Sequence, residues 1–327
     1  MAETLDTAGE RLQIHSDLGW VSDVIEEGAA GSLRTGAEPG ATVSIAVEAD
    51  KTAFNTRDWP LLARGARARG NDVVIENVLT SGFDVLVHCS EEHAEFTFRW
   101  RPPARDRVVA RVLRSRFHLL ARAALSQYPA LWWAGTRHRV PLHVSAYAVD
   151  GAATMVVAPS GVGRSTLVDS EVEAGAVATG DNLAVGDGAT VWGLVEPVRM
   201  SGGTGRRMPH GRTESHLAGR VESLDPDVAV VLTRGEQKRA TLVECAPALV
   251  ERSLVTSTYT AGELRRYWAF AAMLAAGTGQ GPAHPPISEV ARTFAAGLRC
   301  YSLVLGEKRT TRLSELLTSL DKEPAWA

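Results

Sequence analysis

The sequence predicts a mixed α/β (α+β) protein, a phosphate-binding-loop core with a mixed central sheet preceded by a smaller, mainly β N-terminal module. Three observations carry this reading. Residues 154–166 run as an apolar strand, a glycine-bearing loop and a helix start. Four segments in the first hundred residues alternate apolar and polar side chains. The chain has 327 residues, 45% hydrophobic and 22% charged, which is enough for two packed units and excludes disorder throughout.

In chain order, residues 41–47, 72–75, 83–89 and 94–100 read as strands, the last with Phe96, Phe98 and Trp100 on one face, and together they suggest a small mixed sheet. Pro102 and Pro103 stop the last strand. Residues 106–128 then read as one helix, with Val108, Val109, Val112, Leu113, Phe117, Leu120 and Ala124 at helical spacing. The expected division is an N-terminal module 1–103, a linking helix 104–134 and a nucleotide-binding core 135–327. The linking region carries Arg99, Arg101, Arg105, Arg107, Arg111, Arg114, Arg116 and Arg122 with almost no acid. Such a cluster suits the solvated face of an amphipathic helix, or recognition of an acidic peptide, a phosphorylated partner or a neighbouring subunit. Trp132 and Trp133 are expected to pack between the modules.

In the core, residues 141–149 alternate as a strand ending at the turn Asp150-Gly151, and 175–185 read as another strand followed by polar residues. Residues 228–232 have the continuous apolar character of a central strand. Residues 261–276 and 287–298 read as helices separated by a proline-rich break, 300–305 as a strand, and 311–320 as a final helix.

The loop itself is Ala158-Pro159-Ser160-Gly161-Val162-Gly163-Arg164-Ser165-Thr166. A phosphate-binding loop has glycine first and lysine before the serine; here Ala158 and Arg164 take those places. Gly161 and Gly163 allow close backbone approach, successive N–H groups cradle an anion, and the helix N-terminus adds its dipole. Nucleotide binding is therefore expected at Pro159, Ser160, Gly161, Val162, Gly163, Arg164, Ser165 and Thr166. Arginine offers a planar fork of donors but not the compact ammonium that follows a migrating phosphoryl group. An ordinary strand–turn–helix connection is the plainer alternative.

The order His143, residues 158–165 and Asp181-Asn182 resembles the HPr kinase/phosphorylase family and its relatives with a PEP-carboxykinase-like core, over roughly residues 135–270. The resemblance implies ATP and Mg²⁺ as cofactors. It implies Asp181, Arg164 and His143 as catalytic residues, with Asp181 the general base and Arg164 neutralising developing charge, and Ser165, Asp181 and Asn182 as magnesium ligands. The family has Lys at Arg164 and a second Asp at Asn182; asparagine carries no charge and is no base. The family's phosphorylase segment has no counterpart here. The chain looks closer to the short HPr-kinase-like proteins found beside peptide natural-product genes. A kinase acting on a Ser/Thr hydroxyl of a peptide or small protein is the expected function, with a catalytically degenerate nucleotide-binding partner or scaffold as the alternative. Taken without the resemblance, Asp181 suits a strand-end turn and His143 a core position. The glycine-rich stretch with Arg206, Arg207, His210 and Arg212 suits either a loop closing over a nucleotide or a solvated surface loop. A homo-oligomer is also implied.

A formal net charge of −3 gives no basic field for nucleic acid. Cys89, Cys245 and Cys300 have neither metal nor disulfide spacing, which with the polar start Met1 to Asp6 points to a cytoplasmic protein. No apolar run approaches a membrane span, so no membrane partner is expected, and no repeat is evident.

Overall fold

A computed structural model describes residues 2–200, 206–208, 211–306 and 312–322, and within them the architecture is mixed α/β with parallel and antiparallel pairing in both large sheets. The first sheet is built from β1 (Glu3–Thr7), β2 (Glu10–Ser16), β3 (Arg34–Thr35), β4 (Val43–Glu48), β5 (Leu61–Ala63), β6 (Ala66–Arg69), β7 (Asp72–Ile75), β8 (Phe83–Cys89) and β9 (Ala94–Trp100). Their order is β3-β1-β2-β4-β9-β8-β7-β6-β5, with β2/β4 and β4/β9 parallel. Alternation does what it should: Phe83, Val85, Val87 and Cys89 of β8, and Phe96 and Phe98 of β9, are all buried. The sheet is nevertheless not small. Among the described residues it has nine strands against six in the central sheet, because the polar-looking stretch 3–16 pairs as the hairpin β1–β2. The helix α1 (Gly19–Ala29), also unforeseen, lies beside this hairpin and buries Val21, Val24 and Ile25.

The single helix expected over 106–128 is broken. It becomes α2 (Ala104–Val112), α3 (Arg114–Arg122), a π-helical turn (Ala123–Gln127) and α4 (Tyr128–Thr136), with Leu113 at φ −110°, ψ 58° between the first two. Of the residues assigned to its buried face, Val108, Val112 and Leu113 are 61%, 73% and 46% exposed. The apolar spacing runs through the break, but only the part from Phe117 onward packs on the core. On α4, Trp132 and Trp133 are fully buried in the core under the first sheet.

The second half runs β10 (Val140–Leu142), β11 (Val144–Val149), β12 (Ala152–Val157), α5 (Arg164–Glu173), β13 (Val177–Ala178), β14 (Ala184–Gly186), β15 (Val191–Gly193), β16 (Val198–Met200), β17 (Thr213–Ser215), β18 (Ser223–Leu224), β19 (Val228–Arg234), β20 (Thr241–Glu244), α6 (Pro247–Thr260), α7 (Tyr267–Thr278), α8 (Ile287–Gly297), β21 (Arg299–Leu305) and α9 (Leu313–Lys322). The central sheet has the order β13-β11-β12-β19-β21-β20, with β12, β19 and β21 parallel. A four-stranded sheet, β10-β14-β15-β18, and the pair β16–β17 flank it.

Three expected elements change. Residues 141–149 divide at His143, giving β10 to the four-stranded sheet and β11 to the central one. Residues 175–185 likewise divide, so that Asp181 and Asn182 lie on the connection between β13 and β14. The helix expected from 261 starts only at Tyr267, and the turn before it carries Glu263. The final helix is described from Leu313; residue 311 lies outside the described residues.

Packing crosses the boundary between the halves. The core beneath the first sheet includes Leu183, Leu194 and Val195 from the second half and Tyr267, Phe270, Ala271 and Leu274 of α7. Arg122 of α3 makes a two-oxygen bond to Glu214 of β17, both side chains being under 5% exposed. It passes over Gly28, where a Cβ would come within 2.6 Å of its side chain.

Candidate functional site

The loop after β12 is held open by its two glycines, Gly161 at φ 84° and Gly163 at φ 124°. Both values lie where other residues are strained. Among the described residues no backbone or side-chain acceptor takes the N–H groups of Ser160 through Thr166, and α5 starts at Arg164 without a side-chain cap. Unpaired donors around an exposed turn at a helix start form an anion cradle. The adjoining cavity of about 110 Å³ has the size of a phosphate group rather than of a nucleoside. Pro159, Ser160, Gly161, Gly163, Arg164, Ser165 and Thr166 line it; Val162 does not, and its carbonyl instead accepts from Arg234 Nε at 2.8 Å.

His143, Asp181 and Asn182 converge on the same cavity. Their arrangement differs from the expectation at Arg164, whose side chain turns inward and is 6% exposed. Its Nε donates to Asp181 O at 3.0 Å, and Nη1 to His143 O at 2.8 Å and Ala158 O at 3.1 Å. Nη2 reaches Asn182 Oδ1 at 3.0 Å and His143 Nε2 at 2.9 Å. A guanidinium has five N–H donors; four have oxygen acceptors here and the fifth faces His143 Nε2. Arg164 therefore ties together the end of β12, the break between β10 and β11, and the Asp181-Asn182 turn. Burial pushes its pKa down to about 10 against the pull of Asp181, Glu263 and Glu196, so the charge stays at the floor of the cavity.

His143 is 1% exposed. Burial first, and then the Arg164 charge, push its pKa down to about 4, and the ring is neutral at physiological pH. Its Nε2 either accepts from Arg164 or donates to Asn182 Oδ1, 3.0 Å away, depending on the tautomer. Asn182 is thus spent on Arg164 and His143. For magnesium the fit is partial: the oxygens of Ser165 and Asp181 suit the ion, while Asn182 Oδ1 is already used. Among the described residues no three His, Cys, Asp or Glu side chains gather as a metal site. Magnesium commonly takes one or two protein oxygens and completes its shell with water and ligand phosphates, where it neutralises charge on the phosphate oxygens. Burial raises the Asp181 pKa, opposed by the Ser165 side-chain hydrogen bond and the charges of Arg164 and Arg199.

Four charged lining residues were not picked out as catalytic or ligating from the sequence: Glu196, Arg199, Arg212 and Glu263. Glu196 Oε1 has no hydrogen-bond partner and no solvent contact, and burial raises its pKa to about 7. Arg199 Nη1 lies 3.5 Å from Glu263 Oε1, while its Nε is buried without a partner. Distant elements position these groups. Thr7 Oγ1 at the end of β1 accepts from Val195 N at 2.8 Å, next to Glu196, and Ala8 N donates to Gly193 O at 2.9 Å. Tyr128 Oη donates to Glu263 O at 2.6 Å. Nothing local to residues 196 or 263 announces such bracing. Arg212 of the glycine- and arginine-rich stretch does reach the cavity, whereas Arg206 pairs with Glu27 of α1. Residues 201–205 and His210 lie outside the described residues.

The cavity therefore sets three arginines, Arg164, Arg199 and Arg212, against three carboxyl groups, Asp181, Glu196 and Glu263. A polyphosphate entering it meets the cradle's N–H groups, but needs the carboxyls protonated or a divalent cation beside them. No protein-family model matches the chain, and no curated protein matches it.

Proposed function

We propose that this chain is a nucleotide-binding protein of the HPr-kinase-like kind, holding ATP with Mg²⁺ by its phosphates on residues 158–165 and serving as a binding partner without phosphoryl transfer. The observation that carries the reading is Arg164. Its donors are directed at the protein's own groups, while among the described residues the backbone N–H groups around it have no acceptor. Binding uses the cradle and the fixed buried charge; transfer needs a donor that follows the migrating group, and Arg164 is not free to do so. A second reading, an ATP-dependent kinase acting on a Ser/Thr hydroxyl of a peptide or small protein, is supported by Asp181 together with Glu196, which lines the same cavity and is titratable near neutrality.

Calorimetric titration of the purified protein with ATP and Mg²⁺, followed by mass spectrometry for ADP and phosphorylated species with a Ser/Thr peptide library present, separates the two. Binding without ADP formation supports the first reading. ADP and phosphopeptide that vanish in Asp181→Asn support the second, and absence of binding removes both.

A further inference from the structure

The groove between α1 and the α2–α3 pair lies apart from the loop cavity and plays no part in the function proposed above. It encloses about 490 Å³, within the range of ligand sites. Its floor is aromatic. Trp20 of α1 stands 5.2 Å from Trp100 edge-on and 5.8 Å from Phe117 of α3, and also stacks on Phe83. Trp100 lines the groove with its ring, its buried Nε1 lying beside Gly82 without a hydrogen-bond partner among the described residues.

Its rim is cationic. Arg107 and Arg111 of α2 and Arg114 of α3 line the groove, against one unpaired carboxylate, Asp23 of α1, while His118 is taken by Glu27 at 2.7 Å. Among the described residues Arg107, Arg111 and Arg114, like Arg105 and Arg116 beside them, make no ion pair or side-chain hydrogen bond. The other arginines of the cluster are engaged: Arg99 with Glu48, Arg101 with Asp84 and Arg122 with Glu214. The helix α2 buries no residue, and Val108, Val112 and Leu113 extend an apolar surface beyond the rim. A helix with exposed valines and unpaired arginines is half of an interface.

We propose that this groove docks an acidic segment of a partner polypeptide, with an apolar or aromatic side chain seated on Trp20, Trp100 and Phe117 and carboxylates on Arg107, Arg111 and Arg114. Charge complementarity selects an anion, since the rim carries three arginines to one aspartate. A polypeptide is favoured over single-stranded nucleic acid because Trp20 already packs against three other rings, leaving no row of free ring faces for successive bases, and because the surface continues into aliphatic side chains. The same helix α3 carries Arg116, Leu119 and Leu120, which line a cavity of about 240 Å³ sharing Glu196, Arg199 and Glu263 with the loop site.

The test is selection of a displayed random peptide library on the full chain, with the Arg107→Glu/Arg111→Glu/Arg114→Glu variant as counter-target. All three residues are exposed, and circular dichroism checks that the variant folds. The expected peptides are rich in Asp or Glu flanking a Trp, Phe or Leu. They should quench tryptophan fluorescence and lose roughly tenfold or more in affinity for the triple variant. Recovery of peptides without acidic enrichment, affinity indifferent to the triple variant, or failure to recover any peptide overturns the proposal. So does preferential binding of an oligothymidylate or of phosphatidylglycerol vesicles at the same arginines, or a wild-type dimer that the triple variant splits.

Discussion

At the scale of single residues, Arg164 decides how the site is understood. A lysine there has three donors on one nitrogen and cannot serve acceptors on three separate segments, His143, Ala158 and the Asp181-Asn182 turn. Arg164→Lys should therefore lower stability by about 3 kcal/mol, since it leaves buried acceptors unmet around a buried charge. Urea unfolding measures this, and an unchanged midpoint would show that the clamp contributes nothing. Glu196 supplies a pH dependence. Its folded pKa of about 7 lies above the unfolded value of 4.5, so the folded state holds the extra proton and stability falls as pH rises through that window. Glu196→Gln should remove this loss, so that the variant gains on the wild type from pH 5 to pH 8, by at most about 3 kcal/mol. His143 acts in the opposite sense. With its folded pKa near 4 and an unfolded value of 6.5, stability is lost as pH falls from 6.5 toward 4. Binding follows the same chemistry: pyrophosphate affinity without magnesium should drop severalfold between pH 6 and pH 8 and recover when magnesium is added, as read by calorimetry. A flat pH profile without the metal would separate Glu196 from ligand binding.

At the scale of elements, local pattern and tertiary demand part company where one segment serves two sheets. Alternation marks 141–149 as extended and is right about that, but it carries no information about partners. Whether β10 and β11 share a sheet depends on β14 and β12, which lie elsewhere in the chain. The break that results puts His143 in the site. Helix α9 shows the same dependence in its docking. Glu171 of α5, fully buried, accepts from Ser314 N at 3.1 Å and Ser314 Oγ at 2.7 Å at the start of α9. Glu171→Ala should cost about 1–3 kcal/mol and release α9 first, seen as faster hydrogen exchange over 313–320 than in the rest of the chain. Uniform exchange would show that apolar packing alone holds the helix.

On the scale of the whole molecule, the buried cluster under the first sheet takes in residues from the second half of the chain. Phe270 and Leu274 of α7 lie in the same buried cluster as Phe96 and Trp132, and the hydroxyl of Thr7 braces the backbone beside Glu196. Thermal unfolding should accordingly be a single transition with calorimetric and van't Hoff enthalpies in agreement. Two resolved transitions would mean that the shared core does not couple the halves. Thr7→Val, which removes one buried acceptor more than 180 residues from its donor, should lower the melting temperature by a few degrees and shift the pH dependence attributed to Glu196. Among the described residues no helix is long and apolar enough to cross a membrane.

The sequence by itself determined the mixed α/β class, the strands from Asp72 to Trp100, the central position of β19 and the glycine turn at the start of α5. All of these rest on short-range signals: alternation, uninterrupted apolar runs, and glycines at positive φ. Only the tertiary structure decided that Arg164 faces inward, that Glu196, Arg199 and Glu263 join the cavity, and that the arginines of α2 find no partner among the described residues while Arg122 is buried. The physical reason is that a side chain's spacing fixes the face it shares, whereas its hydrogen-bond partners and its burial are set by segments far off in the chain, such as Thr7, Tyr128 and Glu214.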